Sequence, residues 1–145
     1  NFYIHDRIPT DATRVSKIIT GTYNERMYYK ITYKTNYRDY MVLADNLLTS
    51  NDYEFSLHSN ALGLQNGEYV TDVRLEFPQA SPGFTQTKSM RVFCQVLPSL
   101  PKDYRITNRA DVGGRYGNEW ESATTSWNTT VWTNETTTPL PKTGY

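Results

Sequence analysis

The sequence predicts an all-β fold, an antiparallel immunoglobulin-like β-sandwich of about eight or nine strands followed by an extended C-terminal tail. Several segments alternate apolar and polar residues with period two, and turn residues separate these segments. No segment repeats apolar residues with convincing helical spacing. Short strands at roughly ten-residue spacing are typical of sandwiches rather than of α/β enzymes. Because the pattern does not encode strand order, a jelly-roll sandwich is the alternative.

The strongest alternation lies in "EYVTDVRLEF", which places Tyr69, Thr71, Val73, Leu75 and Phe77 on one face. In chain order, strands are predicted at residues 2–8, 15–22, 27–34, 37–44, 53–57, 69–77, 90–97, 104–112 and 127–132. The residues predicted to share one core are Tyr29, Ile31, Phe55, Leu57, Val73, Leu75, Phe77, Val92, Ile106 and Ala110.

Glycine and proline pairs predict the turns between these strands. Asn66-Gly67 suits a tight hairpin, Pro82-Gly83 suits a type II turn, and Gly113-Gly114 suits a bend or bulge. The segment "LADNLLTSN" is the one place where a short helical turn is expected.

Length and composition predict one globular domain over residues 1–132 and a Thr/Pro-rich linker over residues 133–145. Fifteen basic and fifteen acidic residues are scattered along the chain, which argues against nucleic acid or an anionic membrane as a partner. No signal peptide and no apolar run long enough to span a bilayer is visible. A single cysteine, Cys94, excludes an internal disulfide.

The sequence shows no catalytic or metal-binding pattern, so we expect no enzyme, no cofactor and no metal. His5 and His58 fall on different strands without metal-ligand spacing, and Cys94 lies on an apolar strand face. The segment "GGRYG" is not a phosphate-binding loop. A surface glycosidase would need a pair of acids across a cleft, and no pair stands out.

Tyrosines concentrate in "YNERMYYKITYKTNYRDY", where Tyr28 and Tyr40 are expected to face outward. Exposed tyrosines can stack on sugars or anchor a partner protein, which makes these two residues candidate ligand contacts. The alternative, which we favour, is that the aromatic residues simply have a high strand propensity.

The C-terminal "LPKTG" resembles the LPxTG sorting signal of Gram-positive cell-wall proteins, and it follows the Thr/Pro-rich linker. The resemblance implies that sortase recognises Leu140, Pro141, Lys142, Thr143 and Gly144, attacks the carbonyl of Thr143, and transfers the chain to a peptidoglycan amine. Lys142 occupies the variable position, and only Tyr145 follows Gly144. The expected location is therefore extracellular, on the cell wall.

The upstream chain resembles the repeat-type β-sandwich domains of surface proteins from Clostridia-like Firmicutes. This likeness lies in "HDRIPTDATRVSKIITGTYN", "YKITYKTNYRDYMVL", "GEYVTDVRLEFPQASPGF" and "ITNRADVGGRYGNEW". It implies a non-catalytic stalk module, and the alternative is an adhesin module for a host protein or glycan.

Asn108 falls on the apolar face of its strand, where its amide needs a partner. Hydrogen bonds to backbone groups are the simplest arrangement. The alternative is an isopeptide bond to a core-facing lysine such as Lys17, which resembles the cross-links of Gram-positive surface domains.

Overall fold

The computed structural model describes residues 2–100 with their side chains, and residues 105–116 and 119–130 as backbone strands. The described chain forms antiparallel sheets and contains one short helix. This architecture confirms the predicted all-β antiparallel sandwich. Within the described ranges, no helix is long and apolar enough to cross a membrane.

The elements follow one another in the order β1 (Phe2–Arg7), β2 (Thr13–Ile19), β3 (Thr22–Tyr23), β4 (Tyr28–Thr35), β5 (Met41–Leu48), β6 (Glu54–Ser56), α1 (Ser59–Leu62), β7 (Val70–Phe77), β8 (Gln86–Lys88), β9 (Arg91–Val96), β10 (Arg105–Tyr116) and β11 (Glu119–Thr130).

One six-stranded sheet, with the strand order β11-β10-β1-β7-β4-β5, forms the larger layer, which we call the main sheet. Its central strand β1 pairs with β10 on one side and β7 on the other, so Ile4 lies opposite both Val112 and Leu75. A three-stranded sheet, β6-β2-β9, and a two-stranded sheet, β3-β8, complete the fold.

A single core joins the main sheet to the smaller sheets. The main sheet contributes Ile31, Val73 and Leu75, and the smaller sheets contribute Ile18 and Val92; all five are almost fully buried. Seven of the predicted core residues are buried, namely Tyr29, Ile31, Leu57, Val73, Leu75, Phe77 and Val92. Phe55 is partly buried against the core, and the side chains of Ile106 and Ala110 lie outside the described part of the chain.

The predicted alternation fails at the start of β7, where Val70 rather than Thr71 is buried. The cause is an irregularity in the β4–β7 ladder, where the register shifts between the Lys34–Asp72 pair and the Thr35–Val70 pair. Such a shift moves every residue beyond it to the opposite face.

Three local predictions were also wrong. The segment "LADNLLTSN" contains most of strand β5, and the helical turn instead occupies Ser59–Leu62. Asn66-Gly67 precedes β7 after that helix and does not close a hairpin. Gly113-Gly114 continues β10 in unbroken register, and both β10 and β11 extend well beyond the segments predicted for them.

The Pro82-Gly83 turn was predicted correctly. Gly83 has a φ of 90°, and the Phe84 amide donates to the carbonyl oxygen of Ser81 at 3.0 Å. This is the geometry of a type II turn, which requires a residue that tolerates positive φ at its third position.

Candidate functional site

The solvent-directed face of the main sheet, which we call the outer face, carries polar and aromatic side chains. Strand alternation creates it, because Val73 and Leu75 point into the core while their neighbours on β7 point away. Two cross-strand rows result from the register. Tyr3, Glu76 and Lys30 form one row, and His5, Arg74 and Thr32 form the next.

A groove of about 410 Å³ lies at the end of the outer face where β1 begins and β7 ends. Tyr3, Tyr28, Lys30, Arg74 and Glu76 line it from the sheet. Its volume falls in the range of small-molecule sites in proteins. The groove therefore combines aromatic rings with charges of both signs.

A bulge in the edge strand β5 forms the remaining wall of the groove. The register jumps from Tyr29–Leu47 to Ile31–Ala44, so that Asp45 and Asn46 together lie opposite the single residue Lys30. Asn46 has a φ of 54°, and the Asp45 carboxylate accepts a hydrogen bond from the Asn46 amide at 2.7 Å. Asparagine tolerates this left-handed conformation better than most residues. The bulge thus directs two polar residues into the groove.

Arg74 is held between two tyrosine rings on the outer face. Its guanidinium carbon lies 4.2 Å from the centroid of Tyr40 and 5.0 Å from that of Tyr3. The buried Nε of Arg74 has no hydrogen-bond partner among the described residues. Stacking on aromatic rings fixes the guanidinium plane without using its donors.

A histidine and a carboxylate meet next to this stack. His5 Nε2–H donates to Asp72 Oδ2 at 2.6 Å, and the Tyr40 hydroxyl lies 3.1 Å from the same nitrogen. In a Ser–His–Asp relay, the carboxylate and the nucleophile bind different ring nitrogens. Because both partners bind Nε2 here, the cluster lacks that relay geometry.

The ionisation of this cluster agrees with a structural role. Burial alone would raise the pKa of Asp72, but hydrogen bonds from His5 and Thr71 outweigh it, so the pKa is lowered. Burial, together with the nearby negative charge of Asp72, raises the pKa of Tyr40 to about 12. The Tyr40 hydroxyl is therefore protonated at neutral pH.

A second polar cluster surrounds the buried carboxylate of Glu68. It accepts hydrogen bonds from Thr35 Oγ1 at 2.6 Å, from Arg38 Nε at 2.8 Å and from the Gln65 amide at 3.0 Å. These bonds, with that of Arg38 first, lower the pKa of Glu68 to about 2. They tie the β4–β5 connection to the turn before β7, so this cluster is structural.

The two tyrosines singled out from the sequence occupy different environments. Tyr28 is 56% exposed and lines the groove, in agreement with the prediction that it faces outward. Tyr40 lies on the outer face but is half-buried against His5 and Arg74, and it does not line the groove. A ligand contact at either tyrosine stays a prediction.

Lys17 does not point into the core, contrary to the expectation behind the isopeptide hypothesis. Its side chain is 39% exposed, and Nζ lies 3.5 Å from Glu54 Oε1 and 4.7 Å from the centroid of Phe93. Asn108 belongs to β10 and pairs with Trp127, but its side chain lies outside the described part. The cross-link stays a prediction. The predicted sorting motif, Leu140 to Gly144, also lies outside the described residues.

His58 and Cys94 occupy unremarkable places. His58 is exposed at the start of α1, and Cys94 is fully buried in β9. No group of three or more potential metal ligands of the His, Cys, Asp or Glu type occurs among the residues that the structure describes.

Comparison of the chain with protein-family models, with curated proteins and with solved structures finds no match.

Sequence reasoning missed Arg74, Lys30 and the Asp45–Asn46 bulge as parts of one site. The only signal was the alternation that places Arg74 and Glu76 opposite the apolar residues of β7. Their meeting with Lys30 depends on strand order and register, which one strand's sequence does not contain.

Proposed function

We propose that this chain is a non-catalytic stalk module of a bacterial surface protein, attached to peptidoglycan by sortase through the motif at Leu140 to Gly144. The observation that carries the proposal is the motif "LPKTG" directly after "TNETTTP". In that reaction the chain is the substrate, and the thiolate that attacks Thr143 belongs to sortase.

The direction in which the chain enters and leaves the main sheet supports a load-bearing role. At one end of the sheet, Phe2 of β1 lies opposite Gly114 of β10, which lies opposite Glu121 of β11. At the other end, Thr130 of β11 lies opposite Arg105 of β10, beyond the end of β1. Glu121 and Thr130 are separated by roughly 30 Å along the strand. The two chain ends therefore leave the sheet at opposite ends.

Tension between these ends would act along the strands and not across them. A pull on Phe2 and an opposite pull on Thr130 load the β1–β10 and β10–β11 ladders in shear. In shear, the hydrogen bonds of a ladder bear the force together, whereas peeling breaks them one after another. A stalk under flow benefits from this arrangement.

The spacing between the last strand and the motif suits an enzyme that must reach its substrate. β11 ends at Thr130, and the nine residues 131–139 separate it from Leu140. Nine residues can cover about 30 Å at most. This length allows the motif to enter the cleft of another protein without unfolding the sheet.

Incubation of the purified chain with a class A-type sortase and a glycine-based amine tests the proposal. We expect cleavage between Thr143 and Gly144 and transfer of the chain to the amine, read by intact mass. Thr143→Ala and Leu140→Ala should abolish transfer without changing the melting temperature. Thr137→Ala, in the same linker but outside the motif, is the matched control and should be transferred normally. An unmodified folded wild-type chain at long times would refute the anchoring function.

The alternative function is an adhesin-type binding module, and the groove beside Tyr28 is the observation that favours it. The two functions are compatible, because anchoring uses the C-terminal motif and binding would use the outer face.

A further inference from the structure

We propose that the groove on the outer face is a binding site for an acidic oligosaccharide, meaning a short sugar chain that carries a carboxylate. This inference concerns the groove alone and does not depend on wall anchoring.

The groove contains two cations that no described carboxylate pairs with, although two acids also line it. Lys30 and Arg74 both line the groove, and neither forms an ion pair with a described residue. The Nε of Arg74 is shielded from solvent and has no hydrogen-bond partner there. A ligand carboxylate in the groove can form charge-assisted hydrogen bonds with the Lys30 ammonium and with the guanidinium of Arg74. An anionic group is therefore favoured between these two cations.

The two acids of the groove, Glu76 and Asp45, each already accept one hydrogen bond within the chain. The Glu76 carboxylate accepts from Thr32 Oγ1 at 2.6 Å, and the Asp45 carboxylate accepts from the Asn46 amide. Within the described residues, the second oxygen of each carboxylate has no protein donor. These oxygens can accept hydrogen bonds from hydroxyl groups.

Together, the charges distinguish a sugar from an acidic peptide. A peptide rich in Asp and Glu offers carboxylates to the cations, but it would place like charges next to Glu76 and Asp45. A uronic or sialic acid residue offers one carboxylate and several hydroxyl donors on the same ring. Only the acidic sugar can bind both the cations and the carboxylates of the groove.

The rings of Tyr3 and Tyr28 line the groove. Tyr28 is 56% exposed at the groove, and Tyr3 lies in the adjacent row of the sheet. The apolar C–H face of a pyranose ring packs against an aromatic face, while the tyrosine hydroxyl remains available for hydrogen bonds. Exposed rings next to hydrogen-bonding groups thus provide the two surfaces that a sugar ring presents.

The groove is also largely preformed. Two rings hold the Arg74 guanidinium, and the bulge at Asn46 sets the opposite wall in a conformation uncommon for residues other than glycine. Preorganised groups lose less conformational entropy on binding. A bulge that breaks an edge strand beside a groove is typical of functional positions.

The test measures binding of the full chain to three probes by isothermal titration calorimetry at low salt: a galacturonic acid trisaccharide, a hyaluronan tetrasaccharide and 3′-sialyllactose. Each is paired with its methyl ester, which removes the charge and keeps the sugar. We expect at least one acid to bind with a dissociation constant of about 1 mM or lower. Its ester should bind at least tenfold more weakly.

Two variants and two matched controls locate the site. Lys30→Gln and Tyr28→Ala should each weaken binding at least fivefold. Lys34→Gln, on the same strand and face but outside the groove, and Tyr37→Ala, an equally exposed tyrosine elsewhere, should bind like the wild type. All four positions are at least partly exposed, and circular dichroism verifies that each variant is folded.

Four results would overturn the proposal. They are no binding of any of the three acids, equal binding of acid and ester, equal losses in the groove variants and the controls, or tighter binding of a tetraglutamate peptide than of every sugar. None of these results bears on sortase transfer, so the two proposals fail separately.

Discussion

Replacement of Leu75 by alanine is the most direct test of the core. Leu75 is fully buried at the centre of the main sheet, where it pairs with Ile4 on one side and Ile31 on the other. Neighbouring strands fix the backbone on both sides, so the site has little freedom to collapse around the missing atoms. Buried leucine-to-alanine changes cost about 2 to 5 kcal/mol, and this site should fall in the upper half of that range.

The expected loss is large enough for a simple assay. For a chain of this size, each kcal/mol corresponds to roughly 3 to 4 °C in melting temperature, so Leu75→Ala should lower it by about 10 to 20 °C. Urea titration followed by circular dichroism gives the free energy of unfolding. Val42→Ala, at a position 55% exposed on β5, is the control and should change stability by less than about 0.5 kcal/mol. A loss below about 1 kcal/mol for Leu75→Ala would refute the packing described for the main sheet.

Three further predictions concern single contacts. Glu68→Gln should remove the stability that depends on the lowered pKa of Glu68. In the wild type this stability is complete above about pH 4.5 and is lost as the pH falls towards 2. In urea titrations from pH 7 to 2, the free energy of unfolding should therefore depend less on pH for Glu68→Gln than for the exposed control Glu54→Gln. Gly21→Ala should destabilise the fold by more than about 1 kcal/mol, because φ is +77° and a Cβ would lie 2.3 Å from the Lys88 carbonyl oxygen; a melting temperature equal to the wild type would contradict this close approach. Intact mass decides the alternative of an isopeptide bond between Lys17 and Asn108: the bond would remove one ammonia, and a full mass, which the exposed position of Lys17 favours, would exclude it.

The sequence predicts the layers of this fold because burial on one face imposes a period of two. In β7, Val73, Leu75 and Phe77 follow this rule over the length where the ladder is regular. The rule fails at Val70 because a register shift against β4 intervenes. A shift of this kind arises from two strands together, so neither strand's pattern reveals it.

The groove was not predictable for the same reason. Lys30 and Glu76 are distant in the sequence, and only the pairing of β4 with β7 brings them together. The strand containing Asp45 and Asn46 was predicted to end at residue 44, so the bulge fell outside it. Tyr28 was found from the sequence because exposure at a strand end follows from local alternation alone.

The two proposals are connected by the geometry of the main sheet. The groove lies at the end where Phe2 begins β1 and Phe77 ends β7, whereas the chain leaves β11 at Thr130, beyond the opposite end of β1. A chain attached to peptidoglycan through Thr143 would therefore leave the sheet towards its attachment at the end away from the groove. Attachment and saccharide binding would not compete for the same surface. Because the chain enters and leaves the main sheet at opposite ends, a pull would load the ladders in shear and would also hold the groove away from the wall.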